Sequence, residues 1–214
     1  MKDVSVIIRN RNEEAHIGFA IQSVIDSFEN PEIIIVDNNS IDDSMNVVSL
    51  FDRCNISTCS LDGMYTPGKA LNFGVLKATS DTILILSAHS QITKSNLETL
   101  EKSLEDNVAV FGNQTPIYRG KKITKRYIWS HFKNKVEKNM YSTIEDRYFL
   151  HNAFCFYRKE VLIENPFDET LSGKEDRYWA LDMREKGFNF LYDGINHKCN
   201  HFWTPNGATW KGIG

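Results

Sequence analysis

The stretch that decides the fold is EIIIVDNNS, at residues 32–40. Ile33–Val36 is a continuous apolar run, which is typical of a parallel strand buried on both faces. The run stops at Asp37, and the residues that follow favour turns and helix caps. In an open α/β sheet, ligands bind beyond the carboxyl ends of the strands. This stretch therefore predicts both a buried strand and one side of a ligand site.

The same arrangement repeats through the first half of the chain. Val4–Ile8 is followed by Arg9-Asn10-Arg11-Asn12, and Thr82–Leu86 is followed by Ser87-Ala88-His89. Apolar periodicity predicts strands at Val4–Ile8, Ile33–Val36, Ile56–Cys59, Thr82–Leu86 and Val108–Phe111, alternating with helices at Glu13–Glu29, Asp42–Asp52, Gly68–Ala78 and Lys94–Leu104. Strands that alternate with helices predict an α/β fold with a mostly parallel, doubly wound sheet and helices on both faces.

The second half has a different pattern. Lys121–Met140 has apolar residues at intervals of four and predicts an amphipathic helix. Further patterns predict strands at Phe149–Tyr157, Phe188–Tyr192 and Lys198–Trp203, and a helix at Lys174–Lys186. No linker or repeat interrupts the 214 residues, so we expect residues 1–214 to form a single domain.

Charge is unevenly distributed along the chain. The total is −3, but the segment from Arg119 to Lys138 carries +7, which leaves −10 for the remainder. A near-neutral total argues against a nucleic-acid binder. The basic segment could meet phosphates or an anionic membrane surface, or it could be the solvated face of a helix. The N-terminus lacks a signal peptide pattern, and no apolar run would span a membrane, so we expect a cytoplasmic protein, with peripheral contact at the inner membrane face.

Five sequence blocks together resemble the family 2 glycosyltransferases of GT-A fold. They are VSVIIRNRNEE at 4–14, EIIIVDNNSIDDS at 32–44, TPGKALNFG at 66–74, TILILSAHS at 82–90 and GKEDRYWALDMREKGFNFLY at 173–192. The resemblance implies transfer of a sugar from a nucleotide-sugar donor to a hydroxyl of a glycan or lipid-linked acceptor, with inversion, in bacterial surface polysaccharide synthesis. It also implies a nucleotide-sugar-binding half at 1–112 and an acceptor-binding and catalytic half at 113–214.

The resemblance also implies roles for individual residues. The family's base-contacting Asp corresponds to Asp37, and its E-D pair corresponds to Glu175 and Asp176, with Asp176 as the general base. Acidic residues that only complement a helix N-terminus are the simpler interpretation of that pair. The remaining donor-binding positions implied are Arg9, Asn12, Glu13, Lys69, Asn72, Ser87 and His89. In the acceptor region, the resemblance points to Gln114, and the aromatic Trp129 could stack on a sugar ring.

One departure from the family pattern concerns the diphosphate. The family's D-x-D appears here as Ser87-Ala88-His89. His89 and His201 could hold a softer divalent cation, Mn²⁺ being preferred, and His197 and Cys199 share a strand face with His201. Alternatively, the site is metal-independent and uses Lys69 or the basic segment. A catalytically degenerate nucleotide-sugar-binding or scaffold domain is a further alternative.

Overall fold

A large mixed sheet forms the centre of the protein. The computed structural model describes residues 4–61, 63–122 and 127–204. The strands are β1 Ser5–Asn10, β2 Glu32–Asp37, β3 Ile56–Ser60, β4 Thr82–Ser87, β5 Ser90–Lys94, β6 Ala109–Tyr118, β7 Lys121–Lys122, β8 Val136–Lys138, β9 Tyr141–Ser142, β10 Arg147–Tyr148, β11 Phe154–Arg158 and β12 Phe190–Phe202. The helices are α1 Ile17–Ser27, α2 Ser44–Ser49, α3 Pro67–Lys77, α4 Leu97–Asp106, α5 Lys159–Glu164 and α6 Glu175–Glu185, with a short 3₁₀ helix at Tyr127–Ser130.

The strand order of the main sheet is β3-β2-β1-β4-β11-β6-β12-β5. Strands β3, β2, β1 and β4 are parallel, and β6 and β12 are parallel to each other. Strand β11 is inserted antiparallel between β4 and β6, and β5 is antiparallel to β12 at the edge. The prediction of a mostly parallel α/β sheet is therefore confirmed, with one reversed strand at its centre.

Alternation along the central strands produces a core on each face of the sheet. Ile7 of β1 faces α3, whereas Val6 and Ile8 face α1, and all three side chains are fully buried. Burial of each such side chain contributes about 1.5–3 kcal/mol. Gly74 lets α3 lie close to the sheet, because a Cβ there would be 2.6 Å from the Cγ2 of Ile7. The predicted helices on both faces are thus explained by the strand pattern alone.

The prediction of a helix over Lys121–Met140 is wrong in the described part of that segment. The 3₁₀ helix at Tyr127–Ser130 is followed by β8, which pairs antiparallel with β12. The backbone is held there because Gly194 N–H donates to Lys135 O and Asn139 N–H to Phe190 O. Of the apolar residues spaced by four, Phe132 and Met140 are buried in the core of an irregular segment, whereas Val136 is half exposed on β8; residues 123–126 lie outside the described ranges.

Two further differences come from long-range pairing. The predicted strands Phe188–Tyr192 and Lys198–Trp203 are one 13-residue strand, β12, with a register shift between Lys198 and Cys199. The segment before α4 forms β5, an unpredicted strand that pairs with the second half of β12. Among the described residues, we find no helix that combines the length and apolar character needed to cross a membrane.

Candidate active site

A polar cleft lies where the carboxyl ends of β1 and β4 meet the amino end of β11. Because β11 runs antiparallel to β4, its preceding loop reaches the same edge, and Ser87 N–H donates to Ala153 O at 3.1 Å. The N-terminus of α6 closes the opposite side. The lining residues are Arg9, Pro67, Ser87, His89, His151, Asn152, Ala153, Ser172, Gly173, Lys174, Glu175, Asp176, Arg177 and His201. Arg9, Ser87, His89, Glu175, Asp176 and His201, which the sequence predicted as site residues, are brought together here.

The carboxylate of Asp176 is held at the start of α6. One oxygen, Oδ2, accepts a hydrogen bond from Asn152 N–H at 3.1 Å, and Oδ1 accepts from Arg177 N–H at 2.9 Å. Burial raises the pKa of Asp176 above its usual value, although these hydrogen bonds and the nearby arginines oppose the rise. A fixed carboxylate with a raised pKa can accept a proton at neutral pH.

Glu175 has a different environment from Asp176. Its carboxylate is 3.3 Å from Arg9, across the cleft at the end of β1, and its side chain is 7% exposed. Burial raises the pKa of Glu175, the charge of Asp176 raises it further, and Arg9 opposes both effects. Glu175 therefore holds Arg9 in the cleft, while Asp176 is the better placed of the two to react.

Asp37 ends β2, two strands from β4, in a rigid hydrogen-bonded loop. Its Oδ1 accepts from Asn10 Nδ2 at 2.9 Å and from Ser40 Oγ at 2.6 Å, while Oδ2 accepts from Ser40 N–H. Asn12 joins the same loops, because its Oδ1 accepts from Ile41 N–H at 2.8 Å. These bonds fix the Asp37 carboxylate at the predicted strand end, although neither Asp37 nor Asn12 lines the cleft.

The two predicted donor-binding residues of α3 have structural contacts. The helix is capped by Thr66, whose Oγ1 accepts from Lys69 N–H at 3.2 Å, and Pro67 occupies the first turn. Asn72 is 9% exposed and exchanges two hydrogen bonds with the backbone of Phe167, at 2.8 and 3.0 Å. The amide of Asn72 fixes α3 to the 167–169 loop, outside the cleft, and its expected nucleotide contact stays a prediction.

Glu13 anchors the histidine side of the cleft. His89 Nδ1 lies 3.0 Å from Glu13 Oε1, which also accepts from Thr204 Oγ1 at 3.1 Å. Burial alone would raise the pKa of Glu13, but hydrogen bonds from His16, His89 and Thr204 outweigh burial and lower it to about 2. Glu13 therefore lies beneath His89 as an ionised carboxylate, not among the residues that line the cleft.

The predicted metal pair, His89 and His201, has rings 5.0 Å apart. Each Nδ1 has a protein partner, Glu13 Oε1 for His89 and Gln114 Oε1 for His201. Within residues 4–61, 63–122 and 127–204, no three His, Cys, Asp or Glu side chains form a group able to hold a metal ion. Imidazole nitrogens are poor ligands for the hard cations that bridge diphosphates. The described residues therefore do not fit a Mg²⁺-type site.

His197 does not join this cluster. Its ring lies 5.3 Å from Phe156 in the core, and its Nδ1 is 3.4 Å from Ser95 Oγ. Cys199 is buried in the same core cluster as Phe156, so His197 and Cys199 both pack in the core. Of the three side chains His197, Cys199 and His201, the cleft is lined by His201.

Both predicted acceptor contacts are buried instead. Trp129 is 5% exposed, and its ring lies 5.9 Å from Phe132 and 5.2 Å from His201. Gln114 is 2% exposed and lies between His151 and His201. Neither side chain lines the cleft, because Trp129 packs in the core and both ends of the Gln114 amide are bonded to histidines.

His151 and Arg177 line the cleft but were not predicted from the sequence. The sequence placed His151 within a strand, whereas β11 begins at Phe154 and leaves His151 in the loop at the cleft. The reversed direction of β11 brings that loop to the site, and the local pattern carries no signal of strand direction. Arg177 follows the predicted Glu175-Asp176 pair directly, so its position was the easier one to infer.

Several known proteins are similar to this chain. A relative from Campylobacter jejuni, GalNAc(5)-diNAcBac-PP-undecaprenol beta-1,3-glucosyltransferase, is 26% identical over 193 residues, which cover 88% of this chain and 62% of the relative. S. aureus TarS 1-349, solved with UDP-GlcNAc, superposes with a TM-score of 0.73 at 19% identity, covering 96% of this chain and 60% of TarS 1-349. GalNAc-T7, solved with UDP, GalNAc and Mn²⁺, superposes with a TM-score of 0.73 at 14% identity, covering 97% of this chain and 45% of its own.

The chain thus spans less than two thirds of the length of each of these proteins. The solved structures have GT-A folds, and the likeness assigns that fold to this chain. The family model described as Glycosyl transferase family 2 matches residues 5–165, about three quarters of the sequence. With the E-D pair at the cleft and the strand ends in the order that the sequence blocks predicted, the chain belongs to glycosyl transferase family 2.

Proposed function

We propose that the chain transfers a sugar from a nucleotide-sugar donor to a hydroxyl of an acceptor, with inversion at the anomeric carbon. The observation that carries this proposal is the Asp176 carboxylate, fixed by two backbone N–H groups in the cleft at the strand ends. A carboxylate on one side of a cleft and the cationic Arg9 on the other suit a displacement in which charge moves from nucleophile to leaving group.

The proposed reaction is a single displacement. The oxygen of the acceptor hydroxyl attacks the anomeric carbon of the sugar and forms the new glycosidic bond. As it does so, the carboxylate of Asp176 accepts the proton of that hydroxyl. The bond between that carbon and the diphosphate oxygen breaks at the same time, and the electron pair leaves with the nucleoside diphosphate. The raised pKa of Asp176 strengthens it as a base for this transfer.

The leaving diphosphate requires cationic or hydrogen-bonding groups. Because the described side chains do not fit a hard-cation site, we assign this role to Arg9, His89 and His151. Activity without a divalent cation follows from that assignment, although GalNAc-T7 was solved with Mn²⁺. Transfer that is abolished by EDTA and restored by Mn²⁺ would contradict it.

We assign most of the donor contacts to residues 1–112, and acceptor binding with catalysis to residues 113–214, which also supply His151 to the diphosphate. The Campylobacter relative is named for a lipid-linked glycan, which supports a lipid-linked or glycan acceptor in bacterial surface polysaccharide synthesis. Arg119, on the turn after β6, and Lys121 and Lys122, which form β7, are exposed and could contact anionic headgroups. This arrangement corresponds to a cytoplasmic enzyme at the inner face of the membrane.

The test of the proposed base is Asp176→Asn, assayed by donor hydrolysis and sugar transfer. We expect the rate to fall by about 10²–10⁴-fold, because the amide cannot accept the proton, while nucleotide binding persists. Asp182→Asn is the matched control: Asp182 lies on the same helix but pairs with Lys186 at the surface. Unchanged turnover in Asp176→Asn would exclude Asp176 as the base.

The second candidate is a nucleotide-sugar-binding or scaffold domain without turnover. The observation in its favour is that Ser87 and His89 occupy the positions of the family's D-x-D. Saturable binding of a nucleotide sugar by the unmodified protein, without transfer to any acceptor or hydrolysis, would support this candidate.

A further inference from the structure

Gln114 connects two histidines of the cleft. Its Nε2 lies 3.1 Å from His151 Nδ1, and its Oε1 lies 2.9 Å from His201 Nδ1. Gln114 belongs to β6 and His201 to β12, whereas His151 lies in the loop before β11. Gln114 is 2% exposed, so its amide cannot exchange these partners for water. An amide confined between two imidazoles determines where each ring carries its proton.

A backbone N–H decides the direction of both hydrogen bonds. Ala153 N–H donates to His151 Nδ1 at 3.4 Å, and a backbone N–H can only donate, so this nitrogen is an acceptor. The group of Gln114 that faces it must then be the NH₂, which also donates. The remaining Oε1 accepts from His201, which therefore carries its proton on Nδ1. The bond from Ala153 is long, at 3.4 Å, and shows only the direction, whereas the shorter bond from Gln114 Nε2, at 3.1 Å, supplies most of the preference for this tautomer.

These bonds determine what His151 presents to the cleft. With Nδ1 occupied as an acceptor, the neutral ring carries its proton on Nε2, the polar atom left for the cleft that His151 lines. Burial, followed by the charges of Arg147 and Arg177, lowers the pKa of His151 to about 3, so the ring stays neutral. A neutral, oriented N–H can donate a hydrogen bond without transferring a proton.

We propose that His151 Nε2–H donates a hydrogen bond to the leaving diphosphate, and that Gln114 is the positioning residue that holds His151 in this tautomer. The inference rests on the proposed function, because it requires an anionic leaving group in the cleft. His151 lies in the cleft with Arg9, whose charge would act on the same group. A donor fixed before the reaction stabilises the charge that develops as the sugar–oxygen bond breaks.

The first test examines the tautomers directly. ¹⁵N-histidine spectra of the unmodified protein, assigned with His151→Phe, should show His151 protonated on Nε2 and His201 on Nδ1. In Gln114→Met, which has a similar length but neither donates nor accepts strongly, the His151 signal should shift towards a mixture of tautomers. A proton on His151 Nδ1 in the unmodified protein would overturn the proposal, whether or not the protein has turnover.

The second test uses kinetics. We expect His151→Phe to lower kcat by about 10²-fold, and Gln114→Met to lower it by about 10-fold, each with little change in the donor KM. Because Gln114 acts through His151, the double variant should be no slower than His151→Phe alone. Gln91→Met, the same change on β5 outside the cleft, should retain full activity.

Three outcomes separate the explanations. Multiplicative losses in the double variant would show that Gln114 acts independently of His151 and would overturn its positioning role. A wild-type kcat in His151→Phe would remove the proposed hydrogen bond to the diphosphate. No turnover in the unmodified protein would contradict the proposed function and the donation to the diphosphate with it, while the tautomer spectra would still decide the Gln114 contact.

Discussion

Glu13 shows how a single carboxylate can organise one side of the site. Its side chain is 6% exposed and accepts hydrogen bonds from His89 and Thr204, which lie far apart in the sequence. An ionised group that is buried in this way is stable only because hydrogen bonds offset its loss of hydration. The sequence predicted that Glu13 belongs to the site, but it could not show that Glu13 supports His89 from beneath. That role depends on the residues just past β12, where Thr204 reaches the loop after β1.

The lowered pKa of Glu13 has a consequence for stability. Its pKa falls from 4.5 to about 2 on folding, so its contribution is complete above about pH 5 and is lost as the pH falls towards 2. The shift corresponds to about 3 kcal/mol in the free energy of unfolding. In urea titrations from pH 5 to pH 2, Glu13→Gln should therefore lose about 3 kcal/mol less than the unmodified protein.

The matched control for that measurement is Glu29→Gln, at an exposed position just after α1. This variant should keep the pH slope of the unmodified protein. If Glu13→Gln also keeps that slope, then Glu13 is not stabilised in its charged form, and the support proposed for His89 fails.

At the scale of elements, α3 is fixed to the second half of the chain by two small features. Gly68 lies against the backbone of Asp168, where a Cβ would come within 2.4 Å of the carbonyl oxygen. One turn later, Asn72 pairs with both backbone polar groups of Phe167. The spacing of Gly68 and Asn72 is one helical turn, so both face the same loop. Two residues of the TPGKALNFG block, Gly68 and Asn72, therefore pack α3 against the loop at 167–168, and the predicted donor contact of this block falls to Lys69.

Asn72→Ala should therefore destabilise the protein without altering the cleft chemistry. It leaves a buried N–H and a buried C=O of Phe167 without partners, which costs about 2–4 kcal/mol in the free energy of unfolding. Denaturation by urea measures the loss, with Asn46→Ala on the exposed face of α2 as the control. A change below 1 kcal/mol would mean that water replaces the amide and that α3 is held in another way.

The elements that were predicted correctly are those whose pattern is local. Strands β1, β2 and β4 are continuous apolar runs, and α1 has buried residues at Ile17, Ala20, Ile21 and Val24, so each reveals its burial within a few residues. Strands β5 and β8 are exposed or short, and they exist because β12 pairs with them from more than 100 and more than 50 residues away, respectively. The prediction of a helix over Lys121–Met140 is wrong for the same reason, because pairing with the distant β12 shapes this segment. Its apolar spacing arises from contacts with β12 and the core, which local periodicity does not encode.

At the scale of the whole molecule, the site is assembled from both halves of the chain. Arg9, Ser87 and His89 come from the first half, whereas His151, Asp176 and His201 come from the second. The strand ends of the first half could be predicted from sequence because parallel strands share a carboxyl edge. The residues that β11 and β12 bring to the cleft could not be predicted in this way, because their position depends on one strand that is reversed at the centre of the sheet. A ligand that fills the cleft should therefore stabilise the fold as a whole.

This coupling predicts a thermal shift on nucleotide binding. Uridine diphosphate, the nucleotide present with TarS and GalNAc-T7 in their structures, is the probe. At 100 times its Kd, a ligand that binds only the folded state adds about 2.7 kcal/mol, which raises the Tm of a chain of this length by about 5–10 °C. Because we assign diphosphate binding to Arg9, His89 and His151, the shift should survive excess EDTA. Arg9→Gln should reduce the thermal shift, whereas Arg158→Gln, which removes a surface arginine that pairs with Glu160, should leave it unchanged.

A thermal shift that appears only when Mn²⁺ is added would instead show that a cation completes the diphosphate site, and would overturn the assignment to the protein's own side chains.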